Sequence, residues 1–284
     1  MQDAYRHCEE LVRAADKDRY LATLFAPADK RGALFALYAF NTGIVRVADV
    51  VREPMAGEIR LQWWRDVLSG ERDGEAAANP VAAALLDTVA RHSLSVDTLV
   101  HLIEAHEFDL YDDPMPTRAA QEGYLRQTSV AVVSLAAEIL VGRQAFAVAA
   151  AVPGGLSDGL TAVLRSVARH ASRRRLYVPL DLLEQHGANA EDMFAGKATP
   201  AVRAALAELR GRAVGYIETC EQGLTLAPPA AAPAYLPLAL ARRDLARMEH
   251  PDYDPFRTVV EGPQWRRQWT LWRAARRYSG LMSG

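Results

Sequence analysis

Apolar residues recur along this chain at intervals of three and four, the spacing of amphipathic helices rather than the alternation of strands. Asn79-Pro80 and Thr199-Pro200 each pair a capping residue with proline at the first helical position, and Ser95 and Thr117 precede long periodic segments. Stops follow at Gly70, Gly142 and Gly187, and at Asp113-Pro114. These signals predict helices over about 3–19, 28–51, 54–69, 79–92, 96–112, 117–141, 144–152, 155–172, 199–223, 233–248 and 263–278. No alternating run flanks a hairpin turn, and Leu176 to Leu180 reads as a short extended connector. The prediction is an all-α fold in one domain spanning residues 1–284. Ala227 to Pro233 is too short for a free linker and reads as a stiff connection between packed helices.

Composition changes this picture little. Half of the 284 residues are apolar (50%) and 24% are charged, as in ordinary globular chains. A net charge of −2 gives no general attraction for nucleic acid, so any basic function is local. Cys8 and Cys220 match no metal or redox spacing and read as buried, reduced thiols. The mixed-charge N-terminus lacks the apolar region of a signal peptide. The longest apolar run, Val130 to Val141, is broken by Ser134 and Glu138, so no spanning helix is expected. The expected location is cytoplasmic, with peripheral contact on the inner face of the membrane.

One stretch departs from that balance. From Gly159 to Leu180, Leu160, Leu164, Val167 and Ala171 form an apolar helical stripe, while Arg165, Arg169, His170, Arg173, Arg174 and Arg175 occur without any acid between Asp158 and Asp181. Such a face suits either the C-terminal end of a helix dipole or a bound anion. On another helix, Leu34, Leu37, Tyr38, Asn41, Val45 and Ala48 share one side, which puts Asn41 on an apolar stripe that ends at Asp49. Buried polar groups of this kind are either satisfied by neighbours or functional.

LYAFNTGIVRVADVV, LQWWRDVLSG, FDLYDDPMPT with Tyr124 downstream, GLTAVLRSVARHASRRRLYVPLDLLEQHG and AYLPLALARRDLARM occur in the order of the squalene/phytoene synthase family, which the chain resembles over about residues 5–250. The resemblance implies an isoprenoid synthase-type helical bundle around a central apolar cavity. In enzymes of that family, two aspartate-rich motifs on facing helices hold magnesium ions against prenyl diphosphates, as hard oxygen ligands should. Here the first motif, Y-A-F-C-R-x-x-D-D-x-x-D, falls on Tyr38 to Asp49, with Asn41 and Thr42 for Cys-Arg, Val45 and Arg46 for two aspartates, and Asp49 alone retained. The second, R-D-x-x-E-D, falls on Arg165 to His170, where Ser166, Arg169 and His170 replace the acids. A like charge about 4 Å from a cation costs on the order of 4 kcal/mol per unit charge at an effective dielectric near 20.

This pattern resembles a non-catalytic branch, the mitochondrial complex I assembly factors and their bacterial relatives, on Asn41, Asp49, Gln62 to Arg65 and the Arg165 to Pro179 stretch. The resemblance implies a pseudoenzyme that assists respiratory complex assembly or handles lipid. Arg46, Arg165, Arg169, His170, Arg173, Arg174, Arg175 and Tyr177 are the candidates for holding a prenyl diphosphate, quinone precursor or anionic lipid head, with Tyr38, Asn41, Asp49 and Ser166 lining the cavity. No cofactor is expected, and Asp49 is the sole metal-ligand candidate of the two motifs. The alternative is an active, magnesium-dependent prenyltransferase of squalene or phytoene synthase type, drawing on Asp49, Glu104, Asp109, Asp112 or Asp113, although the last three read as solvated residues at a helix end. A bundle metal site from His101, Glu104, His106, Glu107 and Asp109 lacks the paired Glu-x-x-His motifs. Finally, Trp265, Trp269 and Trp272 with five arginines predict an amphipathic helix over 263–278, with the tryptophans set either on an anionic membrane or in the core.

Overall fold

The computed structural model describes residues 1–143, 145–260 and 262–281. Its N-terminal half is built from α1 (Gln2–Ala15), α2 (Lys17–Thr23), α3 (Ala28–Val45), α4 (Val47–Val50), α5 (Pro54–Ser69), α6 (Asp73–Ala78), α7 (Pro80–His92) and α8 (Val96–Ala105). A 3₁₀ turn, His106–Leu110, leads to α9 (Arg118–Leu125), a π turn (Arg126–Val130) and α10 (Ala131–Val141). Then come α11 (Ala145–Arg165), α12 (Val167–Ser172), α13 (Leu180–Gln185), α14 (Ala190–Phe194), α15 (Pro200–Leu224), α16 (Ala232–Tyr235), α17 (Pro237–Arg247) and α18 (Gln264–Leu281). Among the described residues there is no strand. The predicted caps operate: the Asn79 side chain accepts from the amides of Val81 and Ala82, and Ser95, Thr117 and Thr199 each accept from the third amide onward.

Several boundaries differ from the sequence reading. The helix expected over 3–19 breaks at Asp16, whose carboxylate accepts from the amide of Arg19 and starts α2 afresh. The helix expected to reach 112 tightens into the 3₁₀ turn after Ala105. Pro153, expected to separate two helices, lies inside α11; Gln144, where the first of those was to begin, lies outside the described residues. Proline cannot donate to the carbonyl of Ala149. That carbonyl instead faces Gly223 of α15, where a Cβ would stand 3.2 Å from it. Continuity of α9, the π turn and α10 bears out the helix expected over 117–141; the most apolar 18-residue window of Arg118–Val141 has a mean hydropathy of 1.3, which the broken apolar run did not foretell. Among the described residues it is the one helix long and apolar enough to cross a membrane, and 61% of its most apolar window is buried by other helices, as in a core element.

Two apolar clusters hold the bundle. One gathers α1, α3, α7, α8 and α10 around Leu34, Leu85 and Leu102; the other gathers α11, α13, α15 and α17 around Leu160, Leu182, Leu209 and Leu245. The π turn stands where they meet. Gly155 of α11 lies so close that a Cβ there would be 2.3 Å from Val130 Cα, and one at Gly159 would be 2.6 Å from Leu125 Cδ2. These glycines let α11 lie directly on the widened turn, and a cavity opens beside the contact.

Candidate functional site

The cavity has a volume of about 520 Å³ and runs between α3 and α4 on one side and α11 and α12 on the other. Its lining combines a charged mouth, a polar floor and the buried apolar side chains of Leu125, Val132 and Val163.

At the mouth, α4 carries Asp49 and α12 faces it. Arg169 Nη1 lies 3.4 Å from Asp49 Oδ2, Arg173 makes a second, closer ion pair with the same carboxylate, and Arg169 Nη2 donates to Ser166 Oγ at 3.3 Å. Arg175 donates to the carbonyl of Ala48 at 3.0 Å. The retained carboxylate of the first motif is thus neutralised by Arg169, within the second motif's position, and by Arg173 just beyond it. Arg46 lines the same space without a carboxylate partner among the described residues. A cluster of divalent ions does not fit these residues: Asp49 is already paired, α12 faces it with guanidinium groups, and Asp16 and Asp158, which also line the cavity, are paired with Arg19. Among the described residues no group of three His, Cys, Asp or Glu side chains is placed to hold a metal ion.

The floor has the opposite character. In a 3₁₀ turn, residues three apart are eclipsed, so His106 and Asp109 stack and His106 Nδ1 comes within 2.6 Å of Asp109 Oδ2. Tyr124, from α9, donates to Asp109 Oδ1 at 3.0 Å, and Tyr177, from the segment after α12, donates to the same oxygen at 2.7 Å. Asp109 is only 7% exposed. Burial opposes its ionisation, but the contact and charge of His106 and the two phenol hydroxyls outweigh it and hold the carboxyl below its ordinary range. Both phenols are pushed up, chiefly by burial and then by that carboxylate, so they remain donors. Asp109 is therefore not the solvated helix-end residue the sequence suggested.

Between mouth and floor, the His170 ring packs on Tyr177 with centroids 4.5 Å apart. Burial, then the charge of Arg169, pushes His170 down to about 4. It is a neutral imidazole near pH 7.

The structure brings Asn41, Arg46, Asp49, Ser166, Arg169, His170, Arg173, Arg175 and Tyr177 into one lining. Three candidates lie elsewhere. Tyr38 sits deeper, with the Arg19 guanidinium 5.3 Å above its ring. Arg165 turns away to bind Asp244 at 2.6 Å and Asp18 at 3.6 Å. Arg174 faces outward, paired with Glu191 at 2.8 Å and set over the Phe194 ring. The sequence reading missed Arg19, which lines the cavity between Asp16 and Asp158 and bonds the latter at 3.0 Å. Asp109, Tyr124 and Tyr177 were each visible in the sequence in separate roles, but no signal joined them into one floor.

An all-α bundle with a cavity flanked by two helices at the motif positions is an isoprenoid synthase-type fold. The residue pattern of the squalene/phytoene synthase family matches residues 12–273, and the chain belongs to that family. It is 30% identical to NADH dehydrogenase (ubiquinone) complex I, assembly factor 6 of Bos taurus over 90% of this chain and 77% of that one. It is 28% identical to 15-cis-phytoene synthase of Synechococcus elongatus, covering 95% and 92% of the two chains. Among solved structures, squalene synthase HpnC from Alicyclobacillus acidocaldarius superposes with a TM-score of 0.76 at 25% identity, covering 89% of this chain and 96% of the other. A dehydrosqualene synthase shares the fold with a TM-score of 0.86 at 20% identity, covering 98% of both.

Proposed function

We propose that this chain is a non-catalytic member of its family, acting in respiratory complex I assembly or lipid handling and using the arginine-bearing mouth to hold an anionic ligand that it does not convert. The ligand class is a prenyl diphosphate, quinone precursor or anionic lipid head, gripped without metal or other cofactor. The observation that carries this reading is Asp49 paired to Arg169 and Arg173: the mouth is built to satisfy anions with guanidinium groups. The similarity to complex I assembly factor 6 supports the assembly role and assembly proteins as partners. The proposed location is cytoplasmic. Calorimetry with farnesyl diphosphate in the presence of EDTA tests the site: heat of binding is expected, and none at millimolar ligand would end the proposal.

A second reading, a divergent magnesium-dependent prenyltransferase, is favoured by the ionised carboxylate and two phenols at the floor of a cavity of about 520 Å³, and by the similarity to 15-cis-phytoene synthase. Incubation with labelled farnesyl diphosphate, NADPH and magnesium separates the two. A condensed hydrocarbon or its diphosphate precursor would establish the second reading.

A further inference from the structure

The C-terminal helix carries a surface that the cavity does not account for. Its sequence from Gln264 to Leu281 holds five arginines and no Asp or Glu. The inner stripe is Leu271, Ala274 and Tyr278, all buried against the bundle. At 3.6 residues per turn, Trp265, Trp269, Trp272 and Arg276 fall within about a sixth of the opposite circumference, with Arg266 and Arg273 along one edge. The tryptophans are 63%, 56% and 39% exposed, so they stand in solvent rather than in the core. Trp269 and Trp272 stack with centroids 5.0 Å apart, and the Arg276 guanidinium lies 4.1 Å from the Trp272 ring. Arg267 and Arg277 are occupied by Asp18 and Glu221, but among the described residues Arg266, Arg273 and Arg276 have no carboxylate partner.

A second observation lies beside this face. A groove of about 310 Å³ between α15, α17 and α18 is lined by Arg242, Arg273 and Arg277, with Glu221 as its lone carboxylate paired to Arg242 at 3.2 Å and Arg277 at 2.8 Å, which leaves Arg273 without a carboxylate partner among the described residues. Exposed indoles suit the boundary between headgroups and acyl chains, and unpaired arginines beside them select negative headgroups. A phosphate suits the groove by charge, three guanidinium groups outnumbering one carboxylate. We infer that the outer face of α18 is a docking surface for an anionic lipid bilayer, with the adjoining arginine groove receiving a headgroup phosphate. This surface is separate from the cavity and does not depend on what the cavity binds.

Vesicle flotation tests it on the full chain. Vesicles of phosphatidylcholine with phosphatidylglycerol are expected to carry the protein up and blue-shift its tryptophan emission, whereas phosphatidylcholine alone does neither. At about 1 kcal/mol per arginine near the surface, the triple variant R266Q/R273Q/R276Q loses on the order of a hundredfold in affinity. The equal-charge control R6Q/R60Q/R91Q retains binding, and W265S/W269S/W272S loses it with the circular dichroism spectrum unchanged. Binding indifferent to lipid charge would overturn the inference. So would equal loss in variant and control, or a tryptophan face that mediates only self-association or capture of an acidic peptide.

Discussion

Two carboxylates in one cavity, Asp49 at the mouth and Asp109 at the floor, show how burial sets what a charge does. Asp49 meets guanidinium groups that are themselves 52% and 45% exposed, where ion pairs contribute little to stability and exchange readily with other anions. Asp109 accepts from three side chains on three segments, away from water, where removal would strand buried donors. The mouth is thus chemically negotiable while the floor is architectural. Reversal of charge at the mouth can change what is bound without disturbing the bundle.

The largest expected effect breaks this comparison most directly. Asp109→Ala should destabilise the fold by about 3–5 kcal/mol in urea unfolding, against less than about 1 kcal/mol for Asp49→Ala; equal costs would erase the distinction. The pH dependence differs as well. Asp109 has a depressed pKa when folded, so its contribution is present above the ordinary value of 3.8 and lost as pH falls through the lower folded value. For His170 the unfolded chain takes up a proton near 6.5, while the native imidazole refuses it until about 4. Stability should therefore fall by on the order of 2–3 kcal/mol as pH drops across that interval, and His170→Gln should flatten the slope.

The next effects concern ligand rather than fold. Arg169→Gln or Arg173→Gln should weaken farnesyl diphosphate in EDTA by on the order of tenfold, read by calorimetry. The smallest effect has the most informative sign. Asp49→Asn removes a carboxylate competing for both arginines and should tighten that binding by a few-fold, about 1 kcal/mol. Weaker binding in this variant, together with magnesium tightening the binding of wild type, would instead favour the prenyltransferase reading.

The contrast between mouth and floor also explains what could be read from sequence. The mouth lies on two contiguous stretches, Asn41 to Asp49 and Ser166 to Tyr177, whose helical periodicity and loss of acids were visible directly. The floor depends on a 3₁₀ turn and on Tyr177, 68 residues from Asp109, and Arg19 reaches Asp158 across 139 residues. No local pattern encodes such pairings. Long helices were legible through their caps and apolar stripes, whereas α6, α13 and α14, of six, six and five residues, are too short to display a period. Pro153 misled because tertiary packing on α15 sustains a helix that local propensity would end. Trp265, Trp269 and Trp272 were ambiguous between lipid and core until the buried stripe of α18 proved to be the other one.

Asp18 ties these parts together. The carboxylate is largely buried, and burial raises its proton affinity against the opposing pull of Arg267 from α18 and Arg165 from the end of α11. Peeling the C-terminal helix from the body would break the pair between Asp18 and Arg267 and open a largely buried carboxylate to water. The helix consequently behaves as a fixed keel rather than a tether, and the orientation it takes at an interface is transmitted rigidly to the helix that ends at the cavity.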